Sequence, residues 1–260
     1  MRIKKILLVL VIGALISCLF VSCNVTTPSG SGSPEGESES IQRVVMAELF
    51  VAPTCRRCPA AKLAISSLSN KYGLDQMVIL EEYGWNDPYG VYVGWSTQKT
   101  FNRFKWCNDS PHTPDAHFNG LSQNVAYNEF TFFAYQAAIE AELARPPKVS
   151  ISASYGVTDL IVSISGEINN ISSENLENLV IGAMVYEDLV PLGSSTVNHV
   201  VRDIITSELI DNFSKGESFS FSLESEILTN VKDMDNIHVV VYVQAPFSLT
   251  KEILQALYVE

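Results

Sequence analysis

The sequence predicts an α/β domain followed by an all-β sandwich, set behind an N-terminal export segment. Three observations carry that expectation. Strand-like and helix-like segments alternate from Ile41 to Arg145, the pattern of a mixed or parallel sheet with helices packed on it. The pair Pro146-Pro147 then stops the helical pattern, and from there to Glu260 the apolar residues recur with period two.

At the N-terminus, Arg2, Lys4 and Lys5 precede an apolar run from Ile6 to about Val21, the layout of a secretory signal. Leu15-Ile16-Ser17-Cys18 fits the bacterial lipobox, while Phe20-Val21-Ser22-Cys23 fits it less closely but stands directly before polar sequence. Attachment at Cys18 would leave Leu19, Phe20 and Val21 as an apolar stub. The signal is therefore read as residues 1–22 with Cys23 (or Cys18) lipidated, and the alternative is an uncleaved anchor near the lower length limit for spanning a bilayer. Either way the body of the chain lies outside the cytoplasm, in the bacterial cell envelope. Residues 23–40, rich in Ser, Gly, Thr and Pro, read as a flexible tether. Removing the signal takes three of the 17 basic residues and none of the 29 acidic ones, a balance that argues against nucleic acid as a partner and against charge-driven binding to anionic lipid.

In the segment 41–145, Val44 to Val51 is a dense apolar strand. Ala61, Ile65, Leu68 and Tyr72 then fall on one face of a helix that Gly73 ends, and Met77 to Glu82 is a second strand. Asn86 to Trp95 reads as an insertion, and Thr97 to Lys105 as a short helix with Phe101 and Phe104 inward. A longer helix is capped by Asn128, and its core stripe is Phe130, Phe133, Ala134, Ala137, Ala138 and Ala141. In the segment 148–260, Val149 to Tyr155 alternates with serines. Similar runs at Leu160 to Ile168, Leu179 to Tyr186, Phe219 to Leu223 and Ile237 to Gln244 suggest a sandwich of roughly immunoglobulin size.

The chemistry is concentrated at Cys55-Arg56-Arg57-Cys58, where the first strand feeds the first helix. A two-residue gap between thiols suits disulfide exchange: one thiol attacks a partner's sulfur and the other resolves the mixed disulfide. Cys55, beside the helix N-terminus and the charges of Arg56 and Arg57, is expected to have a pKa below the free value of about 8.5 and to attack; Cys58 resolves. Pro59 suits the first helical turn. Downstream, Thr113-Pro114 followed by a short strand to Phe118 and an Asn119-Gly120 turn matches the order of a thioredoxin-type site, with Pro114 as a candidate cis residue beside the thiols. Glu48 is a candidate proton relay for Cys58, or else a solvated strand-end carboxylate. Cys107 is either a third redox thiol or a small buried apolar residue, the latter being preferred.

The strings A-E-L-F-V-A-P-T-C-R-R-C-P, H-T-P-D-A-H-F-N-G and N-H-V-V-R-D (Asn198 to Asp203) resemble the thioredoxin-like outer-membrane lipoproteins related to the twenty-eight-kilodalton outer-membrane antigen. That resemblance implies a lipid anchor, an α/β thioredoxin-like domain with a C-x-x-C-P motif, and a β-rich C-terminal domain, here an all-β immunoglobulin-like sandwich. Ala52-Pro53 and Thr54 depart from a general thioredoxin, in which Trp precedes the first cysteine. His199, Arg202 and Asp203 do not share a face of their predicted strand, so Arg202 is read as a structural ion-pair partner. The leading expectation is an exported, membrane-anchored thiol–disulfide oxidoreductase that acts on protein thiols and disulfides, is reset by a redox partner protein, and uses no cofactor or metal. A surface binding module with a static Cys55–Cys58 disulfide is the alternative. Metal capture by Cys55, Cys58, His112 and His117 ranks last, since two adjacent arginines oppose a cation.

Overall fold

A computed structural model describes residues 41–52, 54–83, 95–107, 112–121, 123–128, 130–192 and 195–260. The expected signal, Cys18 and Cys23, the tether and nearly all of the expected insertion lie outside these residues.

β1 (Val45–Val51) and β2 (Met77–Tyr83) are parallel and joined through α1 (Cys58–Tyr72). α2 (Gln98–Cys107) follows, then β3 (Asp115–Phe118) antiparallel to β1, β4 (Gln123–Ala126) antiparallel to β3, and α3 (Thr131–Leu143). Beyond the prolines come β5 (Val149–Thr158), β6 (Ile161–Asn170), β7 (Leu176–Glu187), β8 (Val190–Leu192), β9 (Ser195–Val197), β10 (Val200–Thr206), β11 (Ile210–Phe213), β12 (Ser218–Glu224), β13 (Ile237–Gln244) and β14 (Ile253–Val259).

These strands do not build the expected class, an α/β thioredoxin-like domain followed by an all-β immunoglobulin-like sandwich. The described chain is mostly β, with three α-helices, and nine strands form one large mixed sheet in the order β14-β13-β7-β10-β2-β1-β3-β4, with β11 also on β7. A proline pair ends a helix, but it leaves the outer edge of β2 in need of a hydrogen-bonding neighbour. β10 fills that edge. It meets β2 in parallel at Val200 and Glu81, and on its other side it runs antiparallel to β7, with a bulge between Val201 and Asp203.

Three cores follow from the faces of this sheet. Val45, Ala47, Leu49 and Val51 of β1, with Ile79 and Phe118, lie under α1 and α3. The face of β7 and β13 that carries Ile181, Ala183, Val185, Val239 and Val241 packs on a three-stranded sheet, β12-β6-β5. On the face of β1 and β2 turned away from α1, Met46, Val78 and Leu80 share a core with Met184, Val201, Val240, Tyr242 and Ala256. The sheet therefore coils, as twisted sheets do, until β14 approaches the start of β1.

Polar anchors hold that closure. Arg43, fully buried, donates to the carbonyls of Ile253 (2.9 Å) and Leu254 (3.0 Å) and pairs with Glu142 of α3 (2.8 Å) and with Glu252 (3.2 Å). The Val44 N–H donates to Gln255 Oε1 at 2.8 Å. The same anchor corrects the expected stripe of α3. Its buried residues are Thr131, Tyr135, Ala138, Ile139 and Glu142, while Phe130 and Phe133 are 61% and 69% exposed. Turning Glu142 inward to Arg43 and Tyr135 onto Phe118 (ring centroids 5.4 Å apart) rotates the two phenylalanines outward.

Candidate functional site

Six residues separate the end of β1 from the start of α1. Within them the Cys55 N–H donates to the Ala52 carbonyl at 3.1 Å, turning the chain toward the helix. A disulfide joins Cys55 and Cys58, with Cα atoms 5.5 Å apart. The two sulfurs differ in setting. Cys58 is 3% exposed and continues the buried face of α1 through Ala61, Ile65 and Leu68; Cys55 is half-buried and stands nearer solvent. The Cys58 N–H donates to Cys55 Sγ at 3.0 Å, a backbone donor aimed at the outer sulfur. Pro59 occupies the first turn of α1, where a missing N–H costs no intrahelical bond. Arg56 and Arg57 are exposed, and the Arg57 Cζ lies 5.9 Å from the centroid of the Tyr127 ring.

Strand register brings further residues to this end of the sheet. Phe50 pairs with Asp115 and Asp115 with Ala126, so the residues just before β3 and just after β4 lie at the end where β1 runs into Cys55. Thr113 and Pro114, joined by a cis peptide, precede β3, and Tyr127 follows β4. Tyr127 is absent from the sequence-based candidates. The signal for it is the Asn119-Gly120 turn, which returns the chain to the cysteine end.

Glu48 is not brought to Cys58. Val45, Ala47, Leu49 and Val51 share the Cys58 core, so Glu48, of opposite parity, points through the other face. There it is fully buried. Arg103 of α2 grips both oxygens, Nη2 to Oε2 at 2.9 Å and Nε to Oε1. Arg103 also donates to Gln244 Oε1 at 3.1 Å, and Glu82 lies 3.9 Å from its Nε. Burial pulls the Glu48 carboxyl upward, but the Arg103 charge and hydrogen bonds outweigh it and hold Glu48 below the ordinary carboxylate range. Burial together with the Glu48 charge pushes Glu82 well above that range, so the two carboxyls of this pair are driven in opposite directions.

The other candidates lie apart. Cys107 is a free thiol buried against Phe50 and Phe104, and burial pushes its pKa well up, which keeps it a thiol. His117, fully buried, has Nε2 at 2.9 Å from Asp115 Oδ2, whereas His112 is exposed. His117 shares the sheet face of Glu48 rather than that of Cys58. Arg202 pairs with Glu187 at 2.6 Å, Asp203 with Lys99 at 2.7 Å, and the His199 N–H donates to Asp188 Oδ1 at 2.6 Å, so these three residues make separate contacts.

No family model and no curated protein matches this chain. Among solved structures it is similar to HBP35 of Porphyromonas gingivalis, with 14% identity, a TM-score of 0.63, and 84% of this chain and 74% of that one covered. A protein of Agrobacterium tumefaciens gives 18% identity and a TM-score of 0.53 over 84% of this chain and 95% of that one. A domain of the outer membrane lipoprotein Omp28 of Porphyromonas gingivalis, at 18% identity, covers 44% of this chain and 88% of its own length with a TM-score of 0.32. For the first two, what is shared at such identities is the fold.

Proposed function

We propose that this protein is an exported, membrane-anchored thiol–disulfide oxidoreductase acting on protein partners in the cell envelope. The observation that carries the proposal is the asymmetry of the disulfide: an outer sulfur, Cys55, that receives the Cys58 N–H, above an inner sulfur that solvent barely reaches. That donor stabilises negative charge on Cys55 when it departs as a thiolate or waits as one. Export and anchoring rest on the basic–apolar N-terminus and the lipobox cysteines Cys23 and Cys18.

In the oxidised state a partner thiolate attacks Cys55 Sγ. A bond between Cys55 and the partner forms, the Cys55–Cys58 bond breaks, and Cys58 leaves as a thiolate at the start of α1, where free backbone N–H groups favour the anion. A second partner thiolate then attacks the partner's own sulfur in the mixed disulfide and releases Cys55. The partner has lost two electrons and the pair has gained them; the reverse sequence reduces a partner disulfide. A second redox protein resets the pair. Thr113 and Pro114, joined by a cis bond just before β3, come at the end of the sheet where β1 runs toward Cys55, which supports a part for them beside the thiols.

The test is exchange with a model peptide. Cys55→Ser abolishes exchange, while Cys58→Ser permits attack and accumulates the mixed disulfide. Exchange unchanged by Cys55→Ser refutes the proposal. So does a reduction potential below about −300 mV, the range of static structural bridges.

A further inference from the structure

We infer that Arg56 and Arg57 select partner polypeptides in which a carboxylate flanks the reacting cysteine. This rests on the exchange reading above and adds the class of substrate. The chain holds 29 acidic residues against 17 basic ones, so carboxylates are plentiful, and the other described arginines use them. Arg43 pairs with Glu142 and Glu252, Arg103 with Glu48, Arg145 with Glu142 and Glu252, and Arg202 with Glu187. Among the described residues only Arg56 and Arg57, of six arginines, have no carboxylate partner. They are the two residues enclosed by the reactive pair, and the first turn of α1 carries no acidic residue to neutralise them.

Geometry adds direction to charge. The Arg57 Cζ lies 5.9 Å from the centroid of the Tyr127 ring, and both arginines are exposed beside Cys55. A planar fork of donors matches a carboxylate bidentately, which a lysine ammonium does not. The overall negative charge of the protein repels an acidic partner at long range. At physiological ionic strength, however, charges beyond about 8 Å are largely screened, so the groups next to Cys55 decide. A carboxylate one or two residues from the partner's cysteine falls within that radius of Arg56 or Arg57, because successive Cα atoms are about 3.8 Å apart.

Three disulfide-bonded peptides that differ only in having Glu, Gln or Lys beside the cysteine test this against the reduced full-length protein. Exchange rates are expected in the order Glu, Gln, Lys, with Glu over Lys by roughly fivefold or more near 0.15 M salt, as exposed ion pairs allow, and with the contrast collapsing near 1 M. In Arg56→Gln/Arg57→Gln the ratio falls toward one. A ratio is the right readout, because both arginines also act on the Cys55 thiolate, and that effect is common to all three peptides. Equal rates in the wild type, or a ratio retained in the double variant, overturn the inference while leaving exchange intact. Absence of exchange with every peptide overturns the exchange reading itself.

Discussion

The pair Glu48 and Glu82 yields a prediction that separates architecture from chemistry. Both carboxyls are fully buried, yet among the described residues only one guanidinium, that of Arg103, serves them. Glu82 is pushed up by burial and by the Glu48 charge, so its folded pKa lies above its unfolded value of about 4.3. For a group raised in this way, its contribution to stability is greatest below the unfolded pKa. That contribution is lost as pH rises toward the folded pKa, because the unfolded chain ionises first. In that window the native state loses up to about 1.4 kcal/mol per pH unit through this one group. Glu82→Gln removes the titration while keeping the size and shape of the side chain. The variant is therefore expected to match the wild type near pH 4 and to become progressively more stable than it as pH rises toward neutrality.

Glu48 has the opposite sign. Its pKa is lowered, so its contribution is present above the unfolded value and lost as pH falls through the folded one. In Glu48→Gln, Glu82 can ionise and take over Arg103, which limits the cost to about 1–2 kcal/mol, whereas Glu48→Gln/Glu82→Gln leaves the guanidinium buried without a carboxylate and costs about 3–5 kcal/mol. The single effects consequently fail to add. Urea unfolding of the oxidised protein across pH 4 to 8 measures all four forms. A Glu82→Gln variant that is less stable than the wild type at neutral pH, or strict additivity in the double variant, refutes the opposite shifts assigned to this pair. Exchange rates give a second check, since both carboxyls face away from Cys58: slower exchange in folded Glu48→Gln would restore a relay role that the geometry denies.

Two further perturbations probe the joints of the large sheet. Gly182 lies opposite Tyr242 across the β7–β13 pair, and a Cβ there would overlap the Tyr242 ring. Gly182→Ala is expected to cost about 2 kcal/mol by overpacking, and hence roughly 4–8 °C in Tm by calorimetry; an unchanged Tm would show that the ring moves freely. Arg202 and Glu187 are buried together, and Glu187 Oε1 also accepts the N–H groups of Lys232 (2.8 Å) and Asp233 (2.7 Å). Arg202→Leu strands that carboxylate and should cost about 3–5 kcal/mol in urea unfolding with no change in exchange per folded molecule; a loss below about 1 kcal/mol would place the pair among inconsequential ones.

Local structure was legible in the sequence where it depends on neighbours along the chain. The step pattern of Ala61, Ile65 and Leu68 and the terminal Gly73 mark α1, and the period-two serines mark β5, because one face of each element must be apolar. The α3 stripe went astray for a reason composition hides. Phe130 and Phe133 are more apolar than Glu142, but Arg43, 99 residues away in sequence, demands the glutamate. Long-range demands also produced the fold itself. Nothing near Val200 signals that β10 will lie between β2 and β7, and that single placement builds one large mixed sheet where an α/β layer and a separate sandwich were expected.

The same distinction separates the parts of the candidate site. The cysteines, Arg56, Arg57 and Pro59 lie within five consecutive positions, so the strand-to-helix turn alone fixes their relation, whatever sheet stands behind it. Glu48 required knowledge of parity. On a strand buried on both faces, an apolar run such as Val44 to Val51 gives no alternation from which to tell which side a carboxylate takes. Arg103, at a separation of 55 residues, decides it: α2 packs against the face that α1 leaves open, and the guanidinium it carries makes burial of Glu48 tolerable there and nowhere near Cys58. The exchange proposed at Cys55 therefore has no proton relay in Glu48 or Glu82, which lie through the other face of the sheet.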